Sequence, residues 1–263
     1  MFRSIPSSLF ALSLCLSALP AQDPAPVKQP DKEVATKLEE LKDCINDRKM
    51  ERDAEAVQII DFLWKKLDEG LCDKDQQAIT KSLDAALSQG KVRQPEDARL
   101  YTAAVAALAY CGADGAKALK KAYENKRFGN TNEKPWLNLR DQMLRSIGKT
   151  KDESMVKFLV DEARRNPEDI LMAAAGEALG NYEAAKEPVR KEIVSDLIKR
   201  WGELDELATQ MGSGNIQAAN ARNTLAALTG KWNETLAKLT RQNFTKFTDW
   251  QSWYNKNKTQ PWK

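Results

Sequence analysis

The chain of 263 residues contains no histidine. That absence removes the commonest general base and the commonest metal ligand, so no Ser/His/Asp or Cys/His nucleophilic arrangement can be built. Cysteine is scarce: Cys15, Cys44, Cys72 and Cys111 are the only four, scattered too widely for the paired spacing of a zinc site. Alternating Val/Ile/Thr/Tyr runs of useful length are missing, which leaves little basis for β-strands. There is no Walker loop and no GxGxxG. Met211-Gly-Ser-Gly-Asn215 is glycine-rich, but no strand pattern precedes it, so it reads as a turn between helices. The apolar run from Leu9 to Ala18 is too short for a membrane-spanning helix, which needs about 20 residues, and no later segment is longer. A net charge of only +3 gives no global attraction for nucleic acid or an anionic membrane. Adjacent carboxylates such as Asp161/Glu162 or Asp205/Glu206 could be imagined as an acid and base, but nothing singles out a pair that faces across a cleft. The reading is therefore of a protein without catalytic, metal-binding or cofactor-binding residues, and not an enzyme.

What is present begins with Arg3, the apolar run, and a break at Leu19-Pro20-Ala21. This is the three-part layout of a secretory signal over residues 1–21, with cleavage after Ala21. Residues 22–31 are a Pro-rich linker, and the mature chain is expected to be exported, periplasmic or secreted, with no integral membrane segment. Lipidation at Cys15 is disfavoured, since a lipidated cysteine should end the apolar run, whereas Leu16, Ala18 and Leu19 still follow it.

Beyond the linker the periodicity is helical. Val34, Leu38, Leu41 and Ile45 share one helix face, as do Ala56, Ile59, Ile60, Leu63 and Leu67, and then Ile79, Leu83, Ala86 and Leu87. An Ala-rich helix follows with Leu100, Ala104, Leu108 and Cys111 aligned. Glycines at 112, 148, 180 and 230 then recur where helices are expected to stop. All four endings carry Leu within four residues before the glycine, as in Leu171-Met-Ala-Ala-Ala-Gly-Glu-Ala-Leu-Gly180.

In these features the chain resembles the HEAT-repeat family of alpha-solenoids, in the irregular exported form found in bacteria. The resemblance spans roughly Leu100 to Leu239. It implies an all-α fold of antiparallel helix pairs stacked over residues 32–230 as a right-handed superhelix, with an extended binding surface and no catalytic residue. Residues 32–90 lack the Leu-Gly ending and fit a helical cap equally well.

Two local expectations follow. With antiparallel helices over 73–88 and 96–111, Cys72 and Cys111 would stand at the same end of one hairpin, where they form a disulfide or remain two buried thiols, leaving Cys44 free. Residues 231–263 form a basic, aromatic end, with seven basic residues against two acidic, and hold Trp232, Phe244, Phe247, Trp250, Trp253, Tyr254 and Trp262. Trp250, Trp253 and Tyr254 fall on one helix face, in a segment that looks like the Trp-rich helix closing bacterial HEAT arrays. Together with Trp262 they either cover the apolar end of the stack or present rings to a ligand. The functional expectation is a non-catalytic scaffold that binds a protein partner and takes no cofactor. The alternative is an envelope or polysaccharide-binding module using the aromatic end.

Overall fold

The structure, a computed structural model, describes residues 29–210 and 215–262. The expected leader, the linker up to residue 28 and the turn at 211–214 lie outside the described residues. Within them the chain is all-helical: α1 (Lys32–Asn46), α2 (Asp53–Glu69), α3 (Asp73–Ser88), α4 (Arg99–Leu108), α5 (Gly112–Tyr123), α6 (Lys134–Lys149), α7 (Val156–Arg165), α8 (Asp169–Ala178), α9 (Glu187–Thr209), α10 (Ile216–Thr240) and α11 (Phe247–Asn257). The described residues contain no strand.

The apolar stripes read from the sequence are the faces that pack. Val34, Leu41 and Ile45 of α1, Ile59, Ile60 and Leu63 of α2, and Ile79, Leu83 and Leu87 of α3 belong to one continuous core. That core is assembled by two kinds of contact. Each odd-numbered helix from α1 to α9 touches its even-numbered successor, and the even helices touch one another in order, α2 to α4, α4 to α6, α6 to α8 and α8 to α10. On the other side α1 touches α3, α3 touches α5 and α7 touches α9, while α11 closes on α9. Helix α8 is held by α6, α7 and α10 together, and every residue from Leu171 to Gly176 is buried.

The glycines do different work from that expected of them. Gly112 alone among the four has a left-handed backbone, at φ +55°, at the first residue of α5. Gly148 lies inside α6, where a Cβ would come within 2.8 Å of Ala178 Cα at the end of α8. Gly180 sits in the 3-10 turn after α8 against Thr235 of α10. Gly230 lies within α10, which does not stop there, because Trp232, Leu236 and Leu239 carry the apolar stripe on to Thr240 and Arg241 ends the helix at φ 59°. The repeat-to-cap boundary expected at residue 230 therefore falls inside a helix. The closest approach involves Gly176 of α8, whose Cα lies directly under the buried indole of Trp232. Trp232 in turn meets Trp201 of α9 edge to face, with centroids 6.3 Å apart.

Two polar clamps hold the first helices. The Arg93 side chain, in the segment before α4, is buried and bonds Asp53 at 2.8 and 3.1 Å and the Lys91 carbonyl at 3.0 Å. Its guanidinium also faces the last carbonyls of α1, at Cys44 and Ile45. Asp31 caps α1 by accepting from Glu33 N at 2.8 Å and pairs with Lys66 of α2 at 3.1 Å. The hydrogen bond from Lys66, with those from the Glu33 and Val34 backbone, holds the Asp31 carboxyl below its usual range.

These contacts predict opposite effects for two Gly→Ala changes. G176A forces a methyl into the Trp232 ring and should lower stability by about 1–3 kcal/mol, outweighing the helix-propensity gain. At G230A the new methyl meets nothing within 4 Å and should raise stability by up to about 1 kcal/mol; urea denaturation of both variants checks the signs. A second expectation concerns acid. A carboxylate with a depressed folded pKa stabilises above its unfolded pKa, about 3.9, and that contribution is lost as pH falls through the folded value. D31N, which keeps the cap and removes the charge opposite Lys66, should therefore lower the melting temperature at pH 7, and the deficit should shrink as pH falls below about 4.

Candidate binding groove

Helix α4 is rich in alanine, with Ala103, Ala104, Ala106 and Ala107 in ten residues. Ala104 and Ala107 are buried in the core, whereas Ala106 faces outward with Thr102 and Ala103 is half-exposed. Short side chains on the outer face of a helix flanked by larger residues leave a trough, and one is present here. It has a volume of about 410 Å³, a floor from α4 and sides from α2 and α6.

At one end of the trough stand Trp64 of α2 and Tyr110, just past α4. Their rings meet edge to face, with centroids 5.7 Å apart, yet Trp64 is 37% and Tyr110 56% exposed. Neither the indole N–H nor the phenol hydroxyl has a hydrogen-bond partner among the described residues. A pair of large aromatic rings in mutual contact and open to water is unusual beside a core that buries Trp232, Trp250 and Tyr101 completely.

The charges around the trough divide into satisfied and unsatisfied. Arg145 of α6 bonds Asp141 on its own helix at 2.8 and 3.2 Å and also pairs with Glu177 of α8. Glu177 in turn lies 3.8 Å from Lys231 of α10. This chain of alternating charge ties α6, α8 and α10 together along the even-numbered face. Asp61 on the α2 side and Lys149 on the α6 side are exposed and carry no ion pair or hydrogen bond among the described residues.

The site residues expected from the sequence lie elsewhere. Trp250 is fully buried, 4.9 Å from Phe244 between ring centroids, and its indole N–H donates to Asn233 Oδ1 at 2.7 Å. Trp262 is buried against Trp253 at 5.3 Å, its indole N–H donates to the Asn257 carbonyl, and Arg190 and Lys191 of α9 stack over its ring. Trp253 and Tyr254 are half-buried and pack on the core. The four residues do not form one open aromatic surface.

Cys72 and Cys111 are not brought together, and with Cys44 they are free thiols. The reason is register. Cys111 lies against Thr80, two turns into α3, which leaves Cys72 about 12 Å farther along that helix. Burial raises the pKa of both the Cys111 and Cys44 thiols. Of the carboxylate pairs, Glu162 accepts hydrogen bonds from Tyr123 and Asn166, and Asp161 faces Arg165 at 3.8 Å. Asp205 and Glu206 are consecutive on α9 and border a shallow cleft beside Phe247 and Tyr254. Among the described residues no cluster of three or more carboxylates and cysteines could hold a metal ion.

Trp64 and Tyr110 were not singled out by sequence. The signal was faint: Trp64 lies at the edge of the Ile60/Leu63/Leu67 stripe, and Tyr110 directly follows the alanine run of α4.

Compared with protein-family models, curated proteins and solved structures, the chain matches none.

Proposed function

We propose that the protein is an exported, non-catalytic scaffold of the HEAT-like alpha-solenoid type, which binds a protein partner on the face formed by α2, α4 and α6. A continuous row of contacts along the even-numbered helices, backed by odd-numbered helices that touch as α1 to α3, α3 to α5 and α7 to α9, is in keeping with stacked antiparallel helix pairs. The even row supplies the binding face and the odd row backs it. Export rests on the charged, apolar and small-residue order of residues 1–21. No helix among the described residues is long and apolar enough to cross a membrane.

The observation that carries the binding reading is the exposed Trp64/Tyr110 pair at the end of an alanine-floored trough. Large aromatic side chains at the centre of a recognition surface provide most of the affinity when a partner desolvates them. Catalysis finds no comparable support: none of the trough's hydroxyls, on Thr102, Ser146 and Tyr110, is hydrogen-bonded to a carboxylate or amine that could serve as its base among the described residues. The alternative, a polysaccharide module working through the aromatic C-terminal end, is weakened by the burial of Trp250 and Trp262.

The test compares Y110E and W253A with the parent chain in pull-downs from cell-envelope extract and on insoluble glycan. Y110E should keep the parent's melting temperature and lose the partner, with affinity falling at least about tenfold, and W253A should retain it. Retention by Y110E together with loss of glycan binding by W253A would instead favour the aromatic end.

A further inference from the structure

Taking the trough as the binding site, we infer that its occupant is an amphipathic α-helix of the partner protein. This helix would lie along α4 with a small or aliphatic face down, a basic flank toward α2 and an acidic flank toward α6.

The floor decides between a helix and an extended segment. Ala103 and Ala106 offer nothing to hydrogen-bond, and Thr102 is the one polar side chain that α4 contributes to the floor. An extended peptide laid there would bury backbone N–H and C=O groups without partners, at a cost of about 1–3 kcal/mol for each group. A helix satisfies its backbone internally and presents only side chains. Its apolar face can also approach alanines closely, as α8 approaches α6 at Gly148 and Ala178.

The dimensions agree. Packed helices stand about 8–10 Å apart, so α2 and α6 on either side of α4 are about 16–20 Å apart between axes. A helix of about 10–12 Å diameter seated on α4 at the same spacing stands about 11–14 Å from the axes of α2 and α6, within reach of their side chains. From Thr102 to Tyr110 the floor is about 12 Å long, two turns, the length over which a docked helix places anchors at i, i+3 or i+4 and i+7. The terminal anchor, an aromatic or large aliphatic side chain, meets Trp64 and Tyr110.

Charge fixes the orientation. Arg145 is already committed to Asp141 and Glu177, so it offers little to an incoming anion. The charges left over are Asp61 on one side and Lys149 on the other. A helix with Lys or Arg along one flank and Asp or Glu along the other pairs with both, and the reversed polarity places like charges together on both sides.

The experiment selects binders from a display library of helix-forming peptides, randomised on one face and both flanks. Targets are the immobilised full chain and its Asp61→Lys/Lys149→Glu double variant, with Tyr110→Glu as counter-target. The inference predicts helical consensus sequences with opposite charge on the two flanks, inversion of that polarity on the double variant, and at least tenfold lower enrichment on the Tyr110→Glu chain. Tyr110-dependent binders that are extended, or whose flank charges do not invert, would overturn the helix while leaving the trough as the binding site. Binders indifferent to Tyr110→Glu would overturn the site itself. A dimer of the free chain that dissociates in Tyr110→Glu would assign the trough to a second copy and also overturn the inference.

Discussion

The fold depends on how closely its even-numbered helices can approach. Where α8 meets α6, Gly148 leaves room for the end of the neighbouring helix, and where α8 meets α10, Gly176 lies beneath the Trp232 indole. Any side chain at either position would push a whole helix outward, because buried layers have few voids to absorb the strain. Trp232 also touches Trp201 of α9, and Phe247 from α11 packs on Trp201 at 5.9 Å. One glycine thus sets the seat of an aromatic stack that extends from α8 through α9 and α10 to the closing helix.

The trough follows from the same economy of size. Alanines that let α4 sink between α2 and α6 leave its outer side recessed, so close packing on one side of the helix produces the trough on the other. The charges obey a similar division. Asp141, Arg145, Glu177 and Lys231 neutralise one another while joining three helices. Asp61 and Lys149 stand unpaired beside the exposed Trp64 and Tyr110 rings, so the trough offers an incoming group both apolar and charged contacts.

Much of this was legible in the residues. The faces of α1, α2 and α3 could be drawn directly, because a 3.6-residue stripe with no competing period has one interpretation. For the aromatic end the sequence left two readings open, rings covering the stack or rings presented to a ligand, and the structure shows Trp250 and Trp262 buried. The glycines misled because a glycine that stops a helix and one that admits a neighbouring helix look alike in a linear chain. Of the glycines at 112, 148, 180 and 230, only Gly112 has a left-handed backbone. The pairing of Cys72 with Cys111 failed for want of register, since two ends that match in sequence were offset by two turns in space. Trp64 and Tyr110 stayed hidden because each alone is an ordinary surface aromatic, and they become a pair only when α2 and α4 bring them together.

Hydroxyl-radical footprinting of the free chain, with oxidation rates resolved for each aromatic residue, tests most directly the claim that the open aromatic surface is at Trp64 and Tyr110. The account predicts fast oxidation of these two, slower oxidation of Trp253 and Tyr254, and near-complete protection of Trp232, Trp250 and Trp262. Rates for Trp64 and Tyr110 as low as that of Trp232, or fastest oxidation at Trp250 and Trp262, would contradict it.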